Sequence, residues 1–167
     1  MTRQRLTEDG GAKPSKPHKL TKAHDRTRFD SGAPELDDWL KKYSWQNVRA
    51  HTATTYVTTS GNGRVIGYYA ITVAGYQRVP CFLLARLAVD IEWHGRGVGW
   101  GLLRDAMQRV LLLTESVAAP TLLVHARDDE ARTFYCHHAE FLQSPVDPLH
   151  LFLPMTAIAS RFRGPDE

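Results

Sequence analysis

The sequence predicts an α/β (α+β) fold, a mixed β-sheet flanked by helices. Three observations carry that expectation. Helix-periodic and β-rich stretches alternate in the order helix, hairpin, strand, helix, strand, helix, strands. Residues 82–89 and 120–124 are mostly apolar runs of strand length, the pattern of buried strands. The first of these runs leads straight into a glycine-rich turn and then an amphipathic helix. A chain of 167 residues, 43% hydrophobic and 23% charged, suits one globular domain with its own core.

Taken in order, residues 1–22 hold Gly10-Gly11, two Lys-Pro pairs and little that is apolar, and read as a disordered basic leader. The domain then spans residues 23–167, with regular structure from about Phe29. Ser31-Gly32-Ala33-Pro34-Glu35 has the form of a helix start, with Ser31 or Gly32 near the cap and Pro34 in the first turn. Leu36, Trp39, Leu40, Tyr43 and Val48 follow at helical spacing. Residues 54–59 and 65–73 are β-rich and flank Gly61-Asn62-Gly63, which reads as a hairpin. After the strand at 82–89 and the glycine turn, Leu102, Leu103, Ala106, Val110 and Leu113 mark one apolar helix face. A strand at 120–124, a helix from Asp128 to about His138, and last strands at 141–142 and 149–153 complete the chain.

No apolar stretch approaches membrane-span length, and the N-terminus lacks the apolar core of a signal peptide. Cys81 and Cys136 make neither a disulfide framework nor zinc-ligand spacing, and fit a reducing cytoplasm. The net charge of +3 is unevenly spread: residues 1–28 hold eight of the 21 Lys and Arg but three of the 18 Asp and Glu. Two readings of that arm stand, a polyanion-binding segment and a solvated leader.

Strand, glycine turn and helix together make an anion site. The N–H groups of the turn and first helical turn converge, the helix dipole adds positive charge, and glycines let a phosphate approach the backbone. The spacing excludes two phosphate patterns. Val98-Gly99-Trp100 replaces the Gly-Lys-Ser/Thr of a nucleoside-triphosphate loop, and the third glycine of the dinucleotide pattern falls on Trp100 or Leu102.

Residues 84–90 with His94-Gly95-Arg96-Gly97-Val98-Gly99 resemble the pyrophosphate loop of the GNAT acetyltransferases, with His94 where Gln or Arg is usual. The wider set resembles the acetyltransferase toxins of bacterial toxin–antitoxin pairs over about Phe29 to Met155. It comprises Phe29-x-Ser31-Gly32, Leu36-x-x-Trp39-Leu40, Val65-x-Gly67-Tyr68-Tyr69, Arg86-Leu87-Ala88-Val89-Asp90, Leu123-Val124-His125-Ala126, Phe134-Tyr135 and Ser144-Pro145-x-Asp147-Pro148-Leu149, in order. The resemblance implies a GNAT fold with a mixed, mostly antiparallel sheet, and acetyl-CoA as co-substrate without a metal. Leu87, Ala88 and Val89 would line the pantetheine arm, and His94, Gly95, Arg96, Gly97, Val98 and Gly99 the phosphates. Tyr135 would protonate the departing thiolate, and the Val89 N–H would stabilise the oxyanion. The competing reading makes Phe134 and Tyr135 core aromatics of a helix.

The resemblance further implies acetylation of the α-amino group of aminoacyl-tRNA, arrest of translation, a ribbon–helix–helix antitoxin as partner, and the dimerisation common in that family. An α-amine has a pKa of about 8, so it is substantially neutral near pH 7 and needs no dedicated carboxylate base. Arg86, Lys41, Lys42, Arg49 and Arg78 are candidates for tRNA phosphates. Two other functions compete: acetylation of a small-molecule amine or a protein, and nucleic-acid binding without catalysis through the basic arm.

Overall fold

The computed structural model describes residues 13–163. The sheet begins earlier than the composition of the leader suggests. His18–Lys19 form a short edge strand, β1, whose partners are Val57 and Tyr56. Ser15 exchanges bonds with Thr59, Leu20 N–H donates to Thr55 O at 2.9 Å, and the Leu20 side chain is buried. Residues 15–20 are therefore docked, which corrects the expectation of a disordered leader through residue 22 for that segment; residues 1–12 lie outside the described residues. Two prolines lower the apparent order of this stretch, yet proline fits an edge segment, and one apolar side chain suffices to seat it.

The expected helix starts at Pro34, but Ala33 precedes it without a side-chain cap bond. Ser31 instead donates its hydroxyl to the Asp37 carboxylate at 2.7 Å, and Gly32 supplies a positive φ of 84°. The segment comprises α1 (Pro34–Asp38), a π-helical turn (Trp39–Tyr43) and α2 (Ser44–Arg49). At that turn the Ser44 hydroxyl and Arg26 both donate to Leu40 O. Arg26 is thereby committed to the fold.

β2 (Thr54–Thr59), β3 (Val65–Tyr76) and β4 (Val79–Val89) form an antiparallel meander. β3 and β4 extend beyond the expected strands because Gln77 and Arg78 turn the chain in two residues, with φ of 48° and 67°. A short 3-10 turn (Ile91–Trp93) and the glycine loop lead to α3 (Val98–Leu113), then β5 (Thr121–His125), α4 (Asp129–His138), β6 (Leu142–Gln143) and β7 (His150–Pro154). A last helix, α5 (Met155–Phe162), was not expected from the sequence. The strand order is β1-β2-β3-β4-β5-β7-β6, with only β4–β5 parallel. This is the mixed, mostly antiparallel sheet that the resemblance implies.

Two cores follow. Tyr69, Ile71, Phe82, Leu84, Leu122 and Val124 pack beneath Leu102, Leu103, Met107 and Val110 of α3 and Ile158 of α5. Val57, Tyr68, Ala70 and Ala88 pack on the other face beneath Phe29, Trp39 and Leu40. The site lies where these layers part.

Candidate active site

β4 and β5 pair only from Phe82–Leu84 to Leu122–Val124. Beyond Leu84 they diverge. Against β3, the register shifts at Ala70/Ile71, leaving Ala85 as the extra residue of a bulge. Asp90 N–H donates to Ile66 O at 2.8 Å. Antiparallel alternation then directs Arg86 and Ala88 toward β3, and the N–H and C=O of Leu87 and Val89 away from it. Those groups face the gap that β5 has vacated. His94 Nε2 lies 2.7 Å from Val89 O, which makes it the donor of that bond. The Val89 N–H and both Leu87 groups are left for an amide-rich chain laid along the edge, the geometry of strand addition.

The two helix N-termini at the gap differ. At α4, the Asp128 carboxylate accepts from Ala131 N–H at 2.9 Å, and Asp129 and Glu130 stand in the first turn. That helix satisfies its own donors and dipole. At α3, Gly97 precedes the helix with φ 78°, gives no side-chain cap, and no acidic residue follows in the first turn. The first N–H to bond within the loop and helix there is that of Gly101, to Gly97 O. Donors and dipole are left for an external anion. A β-carbon at Gly99 would meet Phe134 at 3.4 Å, so the glycine also lets α4 close against the loop. A bare helix start beside a free strand edge fits the pyrophosphate and amide arm of acetyl-CoA.

A cleft of about 650 Å³ occupies the gap. Of the candidate site residues, Leu87, Ala88, Val89, His94, Gly95, Gly97, Val98, Gly99 and Tyr135 are brought together in its lining. Arg96 does not: its guanidinium sits 4.8 Å over the Trp93 ring, which restricts it to a main-chain role. Tyr135 is buried by Phe134 and Phe141, edge-on at 5.2 and 5.7 Å. Burial raises its pKa well beyond the ordinary phenol range. Its hydroxyl has no hydrogen-bond partner among the described residues, so it stays protonated with its proton uncommitted.

The five cations named for tRNA stay outside the cleft. Arg86 stacks over Trp39 at 4.5 Å, Lys42 pairs with Asp38 at 3.6 Å, Lys41 and Arg49 lie exposed on the helical segment, and Arg78 sits in the β3–β4 turn. The sequence reading missed three parts of the lining. Ser31, Gly32, Ala33 and Leu36 form a wall from the α1 side; Trp100 and His138 stack at 4.9 Å near the loop; Arg127, Asp128 and Glu130 stand opposite α1. The α1 wall had a signal in the Phe29-x-Ser31-Gly32 and Leu36-x-x-Trp39-Leu40 set, and Trp100 had one in the glycine spacing that places it at a helix start; Arg127 had none.

Comparison with known proteins matches this geometry. The acetyltransferase (GNAT) domain family matches residues 51–138, from β2 to the end of α4. The chain belongs to the GNAT acetyltransferase family. It is 41% identical over 155 residues to a tRNA-acetylating toxin of Mycobacterium tuberculosis, covering 84% of this chain and 92% of that protein. The AtaT toxin bound to the C-terminus of its antitoxin AtaR superposes with a TM-score of 0.83 at 26% identity, over 90% of this chain and 99% of that one. AtaTR bound with acetyl-CoA superposes at 0.82 and 27%, over 90% and 98%. The GNAT fold and the use of acetyl-CoA follow. No helix among the described residues is long and apolar enough to cross a membrane.

Proposed function

We propose that this GNAT chain is a toxin that acetylates the α-amino group of aminoacyl-tRNA and so blocks translation. The observation that carries the reading is the cleft itself: a buried, uncommitted phenol faces the same gap as the free β4 edge and the bare start of α3, in a chain 41% identical to a tRNA-acetylating toxin. Acetyl-CoA supplies the acetyl thioester. The Val89 N–H, free on the strand edge, points where negative charge develops on the carbonyl oxygen. The amine nitrogen bonds the acetyl carbon and releases its proton to water, Tyr135 gives its proton to the sulfur as the carbon–sulfur bond of the adduct breaks, and Tyr135 then regains a proton from water. Asp128 is engaged as a helix cap and Glu130 is exposed, so the lining offers no buried base; a neutral α-amine does not require one.

The decisive experiment incubates the protein with labelled acetyl-CoA and charged tRNA and analyses the aminoacyl end by mass. Acetylated aminoacyl ends, with translation arrest that needs acetyl-CoA, are expected. Label on a polyamine or a protein with no label on tRNA would reject the reading. A ribbon–helix–helix antitoxin and a homodimer belong to the same proposal. Co-purification with the product of the neighbouring reading frame tests the first, and sedimentation the second.

A further inference from the structure

Among the described residues, Arg127 is the only Lys or Arg that lines the cleft. It stands between β5 and α4, on the side of the gap away from the glycine loop of β4. Its Nε lies 2.5 Å from a Glu35 carboxylate oxygen on α1, and its Nη1 3.6 Å from Asp128. The Glu35 bond thus spans the mouth from the α1 wall to the β5 rim. Both side chains are about half exposed, at 51% and 59%. An exposed pair of this kind contributes little to stability and exchanges partners readily. A phosphate offers a guanidinium more charge than a carboxylate and can accept two of its N–H groups at once.

Two phosphate sources could reach the cleft. The pyrophosphate of acetyl-CoA already has the bare start of α3 and the Gly95–Gly99 backbone. The acceptor must come past α1, where Glu35 holds Arg127. We propose that Arg127 binds a phosphodiester near the acceptor end of the aminoacyl-tRNA, and that Glu35 masks it until that substrate arrives. The inference rests on the aminoacyl-tRNA reading. Arg127 is a positioning residue: it holds the polyanion while the amine reaches the cleft. Glu35 keeps the mouth closed to weaker anions, since a ligand must outcompete a carboxylate to gain the guanidinium.

The test compares the full chain with Arg127→Gln, Arg127→Lys, Glu35→Gln and the double variant, in steady-state acetyl transfer with each substrate varied in turn. Thermal melting establishes that each variant is folded; all these side chains are on the surface. Arg127→Gln is expected to raise KM for charged tRNA about tenfold, the equivalent of one charge-assisted hydrogen bond. Its kcat and its KM for acetyl-CoA stay within about twofold on the same scale. Arg127→Lys recovers part of the loss. The salt dependence of tRNA binding should lose about 0.7 from its log–log slope, one phosphate contact fewer. Glu35→Gln lowers the KM for tRNA about threefold, a gain that vanishes when Arg127 is also replaced. A rise in KM for acetyl-CoA instead, or no change in either constant, overturns the proposal. A Glu35→Gln gain that persists without Arg127 overturns the masking. A wild-type chain that acetylates no charged tRNA overturns the underlying reading, whereas an active wild type matched by Arg127→Gln overturns this inference alone.

Discussion

Tyr135 on α4 and Asp90 at the end of β4 show how single side chains divide the work of the site. Burial packs the Tyr135 ring against Phe134 and Phe141, and the same burial keeps its proton in place. Tyr135→Phe keeps the packing and removes the donor. The expected result is a loss of about 10²-fold or more in kcat, the usual range for a general acid, with KM for acetyl-CoA little changed and the melting temperature retained. Undiminished turnover by the folded variant would return Tyr135 to the rank of a core aromatic. Asp90 never touches the cleft. Its buried carboxylate accepts from Asp30 N–H at 3.1 Å and Glu92 N–H at 3.0 Å and pairs with Arg64 at 3.1 Å. It ties the loop before α1 to the end of β4, so the acceptor wall and the strand edge keep their spacing. Asp90→Ala leaves Arg64 largely buried with only Glu92 as partner. Denaturant unfolding should show about 1–3 kcal/mol lost, the cost of leaving the Asp30 and Glu92 N–H groups without their acceptor while Arg64 keeps Glu92.

Elements were legible where local chemistry and long-range packing agree. The Asp128 cap, the apolar face of α3 and the glycine turn after β4 are each written in a few neighbouring residues, and each stands where expected. The failures have physical causes. The β3–β4 turn uses Gln77 and Arg78 in positive φ, where Asn-Gly is the usual signature, and the long ladder of the hairpin overrides that preference. α5 is eight residues long with only Ile158 fully buried, too short to display a period. Arg127 belongs to the cleft through tertiary placement alone, far along the chain from the Ser31, Gly32, Ala33 and Leu36 that it faces. In the glycine loop the sequence and the backbone can be tested against each other. Gly97 has φ 78°, with no atom near enough to obstruct a β-carbon. Gly97→Ala should therefore cost about 1–2 kcal/mol through backbone strain rather than packing. Relief of that strain would move the N–H donors of α3, so KM for acetyl-CoA should rise about tenfold or more at near-normal kcat, a rise equivalent to one such N–H contact to phosphate. Unchanged affinity for acetyl-CoA, measured by calorimetry, would mean that the loop does not hold the phosphates.

The whole molecule is closed by its N-terminal strap, and the strap carries a proton-dependent joint. Arg109 reaches from α3 to donate to Pro17 O at 2.8 Å while it stacks over Tyr56 at 4.1 Å and pairs with Asp105. Beyond it, the rings of His18 and His24 meet Nε2 to Nε2 at 2.8 Å. The surrounding bonds fix one arrangement of protons. Thr21 N–H donates to His24 Nδ1 at 2.9 Å, so a neutral His24 carries its proton on Nε2. That proton goes to His18 Nε2, which leaves His18 to donate from Nδ1 to Lys16 O at 2.9 Å. A second proton has no place in this chain without setting two donors face to face. His24 accordingly titrates below its ordinary value, through burial first and then through His18 and Arg26. The sign follows from linkage: a folded pKa below the unfolded value of about 6.5 gives stability that is complete above that pH and lost as pH falls through the folded pKa. Acidification from pH 7.5 to 5 should therefore loosen β1 before the rest of the sheet. Amide protection factors, corrected for intrinsic exchange, should fall at Leu20, whose N–H bonds Thr55 O, and hold at Tyr69 in the central strand. His24→Gln should abolish the difference between the two pH values. Equal protection at Leu20 across that range in the wild type would show that the paired rings accept a second proton without opening, and that Ser15, Arg109 and Leu20 hold the strap without them.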